Sequence, residues 1–428
     1  MLITAPTAII PILSLSLKSV LNRKITASLT IFSIAISVML LLGVEKVRTE
    51  AKTSFANTIS GTDLIVGARS GATQLLLYSV FRIGNATNNV TWESYRDIAA
   101  RPEIAWTIPL SLGDSHRGFR VLGTNQDYFK HYRFGGKRLL TFAKGGPFDD
   151  LFDAVLGADV AESLGYGPDD PLIVAHGLGQ EGFSKHQDKP FRVAGILAKT
   201  GTPVDRTVHV SLEAIEAIHV DWRSGSRIPG MTVSADDVRQ KDLRPRAITA
   251  FLVGLKSRLA AFSAQRYVNG YRDEPLLAIL PGVALQELWN LMGTAETALA
   301  IISVFVVVTG LLGMLTMLLA SLNERRREMA ILRSVGARPS HIFGLFLLEA
   351  TFLTGMGTIL GLVLLYLSLM IAQPIIDTRF GIYLSVGLPG ARDLIIIGLV
   401  VLAGFLAGAI PAYRAYRQSL ADGMIVRS

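Results

Sequence analysis

The 428-residue chain contains no cysteine, so no disulfide framework holds it together and the redox state of its compartment leaves no mark on it. Charge is scarce as well: Asp, Glu, Lys and Arg make up 18% of the residues, against 50% that are hydrophobic. A mean hydropathy of +0.42 excludes a wholly soluble chain, whose surface must be polar. A phosphate-cradling Gly-x-x-x-x-Gly-Lys-Ser/Thr loop is also missing. Lys199-Thr200 comes nearest and lacks the glycine before the lysine, so an ATP site is not legible here. There is no His-Glu-x-x-His pair, no Gly-x-Ser-x-Gly elbow and no pair of intramembrane acids suited to a proton relay, which leaves catalysis without support.

What the chain has in place of charge is length of apolar sequence. A helix needs about 20 apolar residues to cross the ~30 Å hydrocarbon layer. Four nearly uncharged runs reach that length and predict transmembrane helices over 25–47, 298–322, 342–372 and 394–412. The third exceeds a simple span and carries Glu349 near its start, which implies a start at the membrane face or a tilted crossing. Arg23 and Lys24 precede the first run, as in a signal peptide. However, the run is too long for a signal core, and Glu45 and Lys46 follow it where a small-residue cleavage site would stand, so it reads as a retained anchor. Residues 1–24 read as a cytoplasmic segment whose residues 9–22 lie as an amphipathic helix in the interface.

Charge also orients the chain. The block 48–297 holds 28 Lys and Arg against 27 Asp and Glu, so nearly all of the net +8 lies beside the apolar runs. Lys18, Arg23 and Lys24 precede the first run; Arg325, Arg326, Arg327, Arg333 and Arg338 lie between the second and third; Arg414, Arg417 and Arg427 follow the fourth. Positive charge marks the cytoplasmic side. Residues 323–341 and the tail 413–428 are therefore expected to be cytoplasmic, as are both termini. The loop 373–393 and the block 48–297 are expected outside. Because the basic residues flank lipid-spanning runs and the large block is nearly neutral, nucleic-acid binding is excluded.

The outer block alternates β-type runs (63–67, 119–123, 171–175, 191–197, 207–210) with helical patterns (92–100, 150–164, 212–218, 243–258), which predicts an α+β domain. An inserted subdomain is expected over about 113–205, and a helix over 283–296 leading directly into the second span. The predicted fold class is thus a membrane protein of four transmembrane α-helices with a large α+β extracytoplasmic domain between helices 1 and 2.

Six of the seven histidines fall in this domain, with His176, His186, His209 and His219 within 44 residues. Zinc accepts such ligands, but the spacings match no compact motif. The plainer reading, surface or hydrogen-bonded histidines, leaves no metal expected. On the cytoplasmic side stands Asn323-Glu-Arg-Arg-Arg-Glu-Met-Ala-Ile-Leu-Arg-Ser-Val-Gly-Ala-Arg-Pro339. A basic loop that only sets topology would account for its charge. The helically spaced Met329, Ile331, Leu332 and Val335, closed by Gly336 and Pro339, favour a helix docking into a partner's groove. Gly357-Thr-Ile-Leu-Gly361 and Gly404-Phe-Leu-Ala-Gly408 have the small-residue spacing that lets membrane helices approach closely, and hint at a dimer.

The layout of one span, a large outer domain and three further spans resembles the MacB, LolC/LolE and FtsX permeases, the type VII or mechanotransmission ABC transporters. So do the Glu-Arg-Arg-Arg-Glu-Met-Ala-Ile-Leu-Arg-Ser-Val-Gly-Ala segment and Pro411-Ala-Tyr-Arg-Ala-Tyr-Arg417. The resemblance covers roughly 40% of the chain, chiefly its membrane part. It implies a non-catalytic permease of the bacterial inner membrane, paired as a homodimer or heterodimer and bound to a separate ABC ATPase that supplies ATP and Mg, with no cofactor on this chain. A periplasmic lipoprotein or adaptor and membrane lipid are implied as further partners. Glu324, Arg325, Glu328, Met329, Leu332, Val335 and Gly336 would couple to the ATPase. The function implied is export or extraction of a lipoprotein, lipid or amphiphile by ATP-driven movement of the outer domain. The alternative is a membrane-anchored regulator that switches a cell-wall enzyme.

Overall fold

The computed structural model describes residues 23–176, 186–223, 226–227, 233–380 and 387–417, and the chain divides into two units. The interfacial helix expected over 9–22 and the tail beyond 417 lie outside the described residues. In chain order the longer helices are α1 (Lys24–Thr58), α2 (Ala72–Val80), α3 (Trp92–Ala99), α4 (Ala158–Leu164), α5 (Leu212–His219), α6 (Ala261–Asn269), α7 (Pro281–Glu324), α8 (Arg326–Ser334), α9 (Pro339–Phe380) and α10 (Ala391–Arg417).

In the membrane unit, α1, α7, α9 and α10 are each long and apolar enough to span a bilayer. They are apolar all round. Ile34, Val38, Leu42, Met314, Leu318, Leu353 and Val400 fill the interior, while Phe305, Ile359 and Leu399 are exposed on the outside, as lipid-facing side chains are. With nothing hydrophobic to gain by leaving lipid, such helices associate through close packing. The four glycines singled out in the sequence supply it within the chain. A Cβ on Gly357 would stand 2.7 Å from Ile34 and one on Gly361 2.7 Å from the Ala35 carbonyl, so both sit where α9 meets α1. Likewise a Cβ on Gly404 would lie 2.2 Å from the Thr354 hydroxyl and one on Gly408 2.3 Å from the Ala350 methyl, where α10 meets α9. They are used up inside one chain and give no sign of a dimer.

All four of these helices run past the spans read from sequence, α1 continuing to Thr58 and α10 to Arg417. The expected 283–296 helix and the second span are one helix of 44 residues. α9 continues to Phe380, through Pro374 and into the segment expected as a loop from 373.

The head unit is built on an 11-stranded sheet. Its strands are β1 (Leu64–Ala68), β2 (Ile104–His116), β3 (Phe119–Thr124), β4 (Phe142–Gly145), β5 (Asp153–Leu156), β6 (Pro171–Leu172), β7 (Ala175–His176), β8 (Phe191–Leu197), β9 (Thr207–Ser211), β10 (Ala250–Leu255) and β11 (Leu276–Ile279). The order is β11-β1-β10-β2-β3-β9-β5-β8-β4, with β7 beside β2 and β6 beside β8. Two pairs, β3 with β9 and β5 with β8, are parallel and the remainder antiparallel. Side chains alternate between faces as the pleat requires. On β1, Leu64 and Val66 meet Tyr95 and Ile98 of α3 and Val268 of α6, while Ile65 meets Leu75 and Leu76 of α2. Farther along the sheet, Val208, Val210, Leu156 and Val193 carry α4 and α5.

Two segments expected as helices are not. In 150–164, Asp153–Leu156 is a strand buried between β9 and β8, and the helix begins only after Gly157. A strand covered on both faces loses the alternation that betrays an exposed one, so its apolar run passes for a helix. In 243–258 the same masking hides β10, which is buried between β1 and β2 with Gly254 against the Trp106 ring. The stretch 113–205, expected as an inserted subdomain, gives β3 to β8 to this one sheet, and β9 from outside the stretch lies between β3 and β5.

Candidate functional site

α8 forms the basic segment that the sequence placed between the second and third spans. Glu328 in its first turn and Arg333 in its last complement the helix dipole. Gly336, with φ +102°, closes it in a Schellman cap: the Gly336 N–H donates to Arg333 O at 3.1 Å and the Ala337 N–H to Leu332 O at 3.0 Å. Pro339 then opens α9.

Arg325, between α7 and α8, is the anchor. Its guanidinium is buried, donates to Glu349 Oε2 at 2.7 Å and to Glu328 Oε2 at 3.4 Å, and lies 4.7 Å from the centre of the Phe346 ring. Glu349 is 2% exposed, so each ion removes the other's cost of burial. Met329 joins Leu322, Ile342, Phe346, Ala412 and Ala415 in a small core beneath α8. Arg325 and Met329, expected as coupling contacts, are thus turned inward and hold the segment in place. Glu328, Ile331 and Val335 point outward beside the exposed Arg326, Arg327 and Ser334, Val335 being 83% exposed, with Leu332 half-buried. Glu324 is exposed and pairs with Arg23 at 3.0 Å. Sequence reasoning noticed Glu349 only as an oddity of the third span; a lone acid in an apolar run was the signal for its partner Arg325.

The head holds a second constellation. The register of β7 on β2 sets His176 opposite Asp114, and His176 Nδ1 stands 3.1 Å from Asp114 Oδ1. His219, the last residue of α5, places Nε2 3.4 Å from the same oxygen and 3.3 Å from His176 Nδ1. His186 follows β7, with its ring 5.2 Å from that of His219 and 4.5 Å from Trp222. One ligand atom each from Asp114, His186 and His219 lies within 4.8 Å of the others. Burial would raise the Asp114 carboxyl, but the two histidines beside it hold it at about 2, so it is ionised. Burial and the neighbouring His219 push His186 down to about 4, so its ring is neutral at pH 7. Both His186 nitrogens are buried with no hydrogen-bond partner among the described residues. Nearby, the fully buried Lys189 pairs with Asp188 at 2.8 Å and Asp221 at 2.9 Å.

Three of the four histidines flagged in the sequence therefore meet, around an aspartate that no spacing marked. His209 is elsewhere. It lies in β9 with Nδ1 3.2 Å from Val155 O and its ring between Tyr128 and Phe129, and burial pushes it down to about 3.

Two family models match the chain: the MacB-like periplasmic core domain over residues 27–249 and the FtsX-like permease C-terminal region over 300–420. Among curated proteins, the macrolide export ATP-binding/permease protein MacB of Azoarcus sp. (strain BH72) is 24% identical over 91% of this chain and 56% of its own length. The protein of that name from Rhodospirillum rubrum is 28% identical over 62% of this chain and 36% of its own length. This chain spans about half the length of these relatives or less. Among solved structures, the periplasmic region of MacB from Actinobacillus actinomycetemcomitans aligns at 12% identity and a TM-score of 0.33, over 54% of this chain and 95% of that one. The extracellular domain of the noncanonic ABC-type transporter YknZ from Gram-positive bacteria aligns at 13% identity and a TM-score of 0.31, over 51% of this chain and 99% of that one. With the core-domain model matching half of its residues and the FtsX-like model the membrane helices that follow, the chain belongs to the family of MacB-like, FtsX-like ABC transporter permeases.

Proposed function

We propose that this chain is the permease of a bacterial inner-membrane complex in which a separate ABC ATPase drives movement of the head domain, with α8 as the joint between engine and membrane helices. The observation that carries this reading is the buried Arg325–Glu349 pair. It fixes a short amphipathic helix against the end of α9 and leaves Glu328, Ile331 and Val335 pointing away from the chain's own core. A helix offering apolar side chains amid charge suits a partner's groove. α7, unbroken over 44 residues, ends at this joint, which suits a stiff transmitting element. The relatives are named for macrolide export. An amphiphile, lipid or lipoprotein handled at the outer leaflet is the substrate class in keeping with a head carried on four lipid-facing helices. Dimeric assembly rests on family membership, since the small-residue faces of α9 and α10 are occupied within the chain.

Orientation and coupling are tested together. The chain has no native cysteine, so single cysteines report on a clean background. A cysteine at Val335 should react with membrane-impermeant maleimide only after the inner face is opened, and one at Leu259 in intact spheroplasts. A photo-crosslinking residue at Val335 or Ile331 should give an adduct that mass spectrometry identifies as an ABC ATPase, whereas the same residue at the inward-facing Met329 should not. Adducts of equal yield from Met329, or none with an ATP-binding polypeptide, defeat the reading.

A further inference from the structure

We propose that Asp114, His186 and His219, joined at the rim by His176, form a site for one first-row divalent metal ion of the zinc class in the head domain. The inference is independent of the transport reading, because it rests on donor geometry alone.

The first argument is tautomeric. His219 Nδ1 donates to Ile215 O at 2.7 Å, which leaves the lone pair on Nε2 in the neutral ring. His219 Nε2 stands 3.4 Å from Asp114 Oδ1 and 3.3 Å from His176 Nδ1. Without an ion a histidine N–H must bridge these atoms, and a metal ion would take that proton's place. A backbone carbonyl that fixes the far nitrogen is also the usual support of a metal-bound histidine, setting ring orientation and raising ligand basicity.

The second is metrical. In a tetrahedral site with metal–ligand bonds of about 2.0–2.1 Å, ligand atoms are separated by roughly 3.3–3.4 Å. The three separations among Asp114 Oδ1, His176 Nδ1 and His219 Nε2 are 3.1, 3.4 and 3.3 Å, which make one face of such a tetrahedron.

His186 stands beside this face, with one ring nitrogen within 4.8 Å of the ligand atoms of Asp114 and His219. Its ring is fully buried and held between Trp222 and His219, with both nitrogens unpartnered among the described residues. A buried imidazole with neither nitrogen satisfied is a poor structural element and a ready ligand. Three imidazole nitrogens and one carboxylate oxygen form a borderline-soft donor set that suits zinc, or cobalt as its spectroscopic substitute, over calcium or magnesium. The ion would join β2, β7, the segment before β8 and the end of α5, four elements distant in sequence.

The test uses the full chain, purified in detergent without a histidine tag and stripped with a chelator. Zinc added alone against a chromophoric competitor should bind at one equivalent per chain, and cobalt should give the intense visible bands of a tetrahedral site. His186→Gln and His219→Gln should each weaken zinc at least about 100-fold, while His116→Gln, outside the cluster, should not. Absence of stoichiometric zinc and of a tetrahedral cobalt spectrum in the wild-type chain overturns the site whether or not the variants fold. Binding that survives both cluster substitutions assigns the metal to surface groups and overturns it equally.

Discussion

Removal of Glu349 tests the anchoring of α8 most directly. Arg325 and Glu349 are 5% and 2% exposed and meet at 2.7 Å, so Glu349→Leu leaves a guanidinium buried without its counterion. Glu328 is 66% exposed, and its 3.4 Å contact with Arg325 offsets little of the loss in high dielectric. Breaking one side of a buried pair costs about 3–5 kcal/mol, whereas replacing both sides with apolar groups of similar volume is near neutral. The free energy holding α8 to its core should fall accordingly. Met329, 6% exposed beneath the helix, provides the gauge once changed to cysteine. In the exchange regime where labelling follows the open population, a loss of 3–5 kcal/mol raises the thiol labelling rate by about 10² to 10³-fold or more, up to the rate of an undocked helix. Arg325→Met should do the same, and Arg325→Met with Glu349→Leu should restore most of the protection. Labelling unchanged in the single variants, or a double variant as open as their sum, would refute an anchoring role for the pair.

Two further expectations follow from packing and protonation. Gly361→Val places a side chain against the Ala35 carbonyl, and overpacking of this kind should cost about 1–3 kcal/mol, lowering the thermal midpoint in detergent; Gly344→Ala, in open space on the same helix, should leave it unchanged. His209 is held neutral by burial at a pKa of about 3, below its ordinary 6.5, so the unfolded chain binds the extra proton between those values and stability falls as pH drops below 6.5. Between pH 7.5 and 5 its share is about 2 kcal/mol. His209→Gln, which keeps a donor for Val155 O, should flatten the acid loss measured by hydrogen exchange at β9, and an unchanged pH slope would dismiss His209 as its source.

The membrane half was readable because lipid imposes one rule on every residue of a span, and runs of that length have few other uses. Boundaries were less so. α7 joins an amphipathic stretch to an apolar one, and α9 outruns its apolar core past Pro374, because hydropathy marks where lipid stops and not where the helix does. In the head, β3 and β8 announced themselves as short apolar runs with a polar residue among them, set between turn signals. β5 and β10 did not, since burial on both faces erases the alternation that separates strand from helix. The basic segment after the second span was legible as a helix, but not which of its residues turn inward. That choice was decided by Glu349, some twenty residues away in sequence.

The glycines and the histidines show the same limit from opposite sides. Small residues four apart state that something approaches closely, and the sequence invited a second chain as the neighbour. The structure supplies Ala35, Ile34, Ala350 and Thr354 of the same chain, because three other spans were already available to fill those grooves. Histidines scattered over 44 residues fit no metal motif, since motif spacing describes ligands carried on one local element. Here the ligands are set by strand register, with His176 opposite Asp114, and by the end of a helix whose last residue turns back to the sheet. If the metal is found, it will have been placed by sheet topology, through positions that no linear pattern connects.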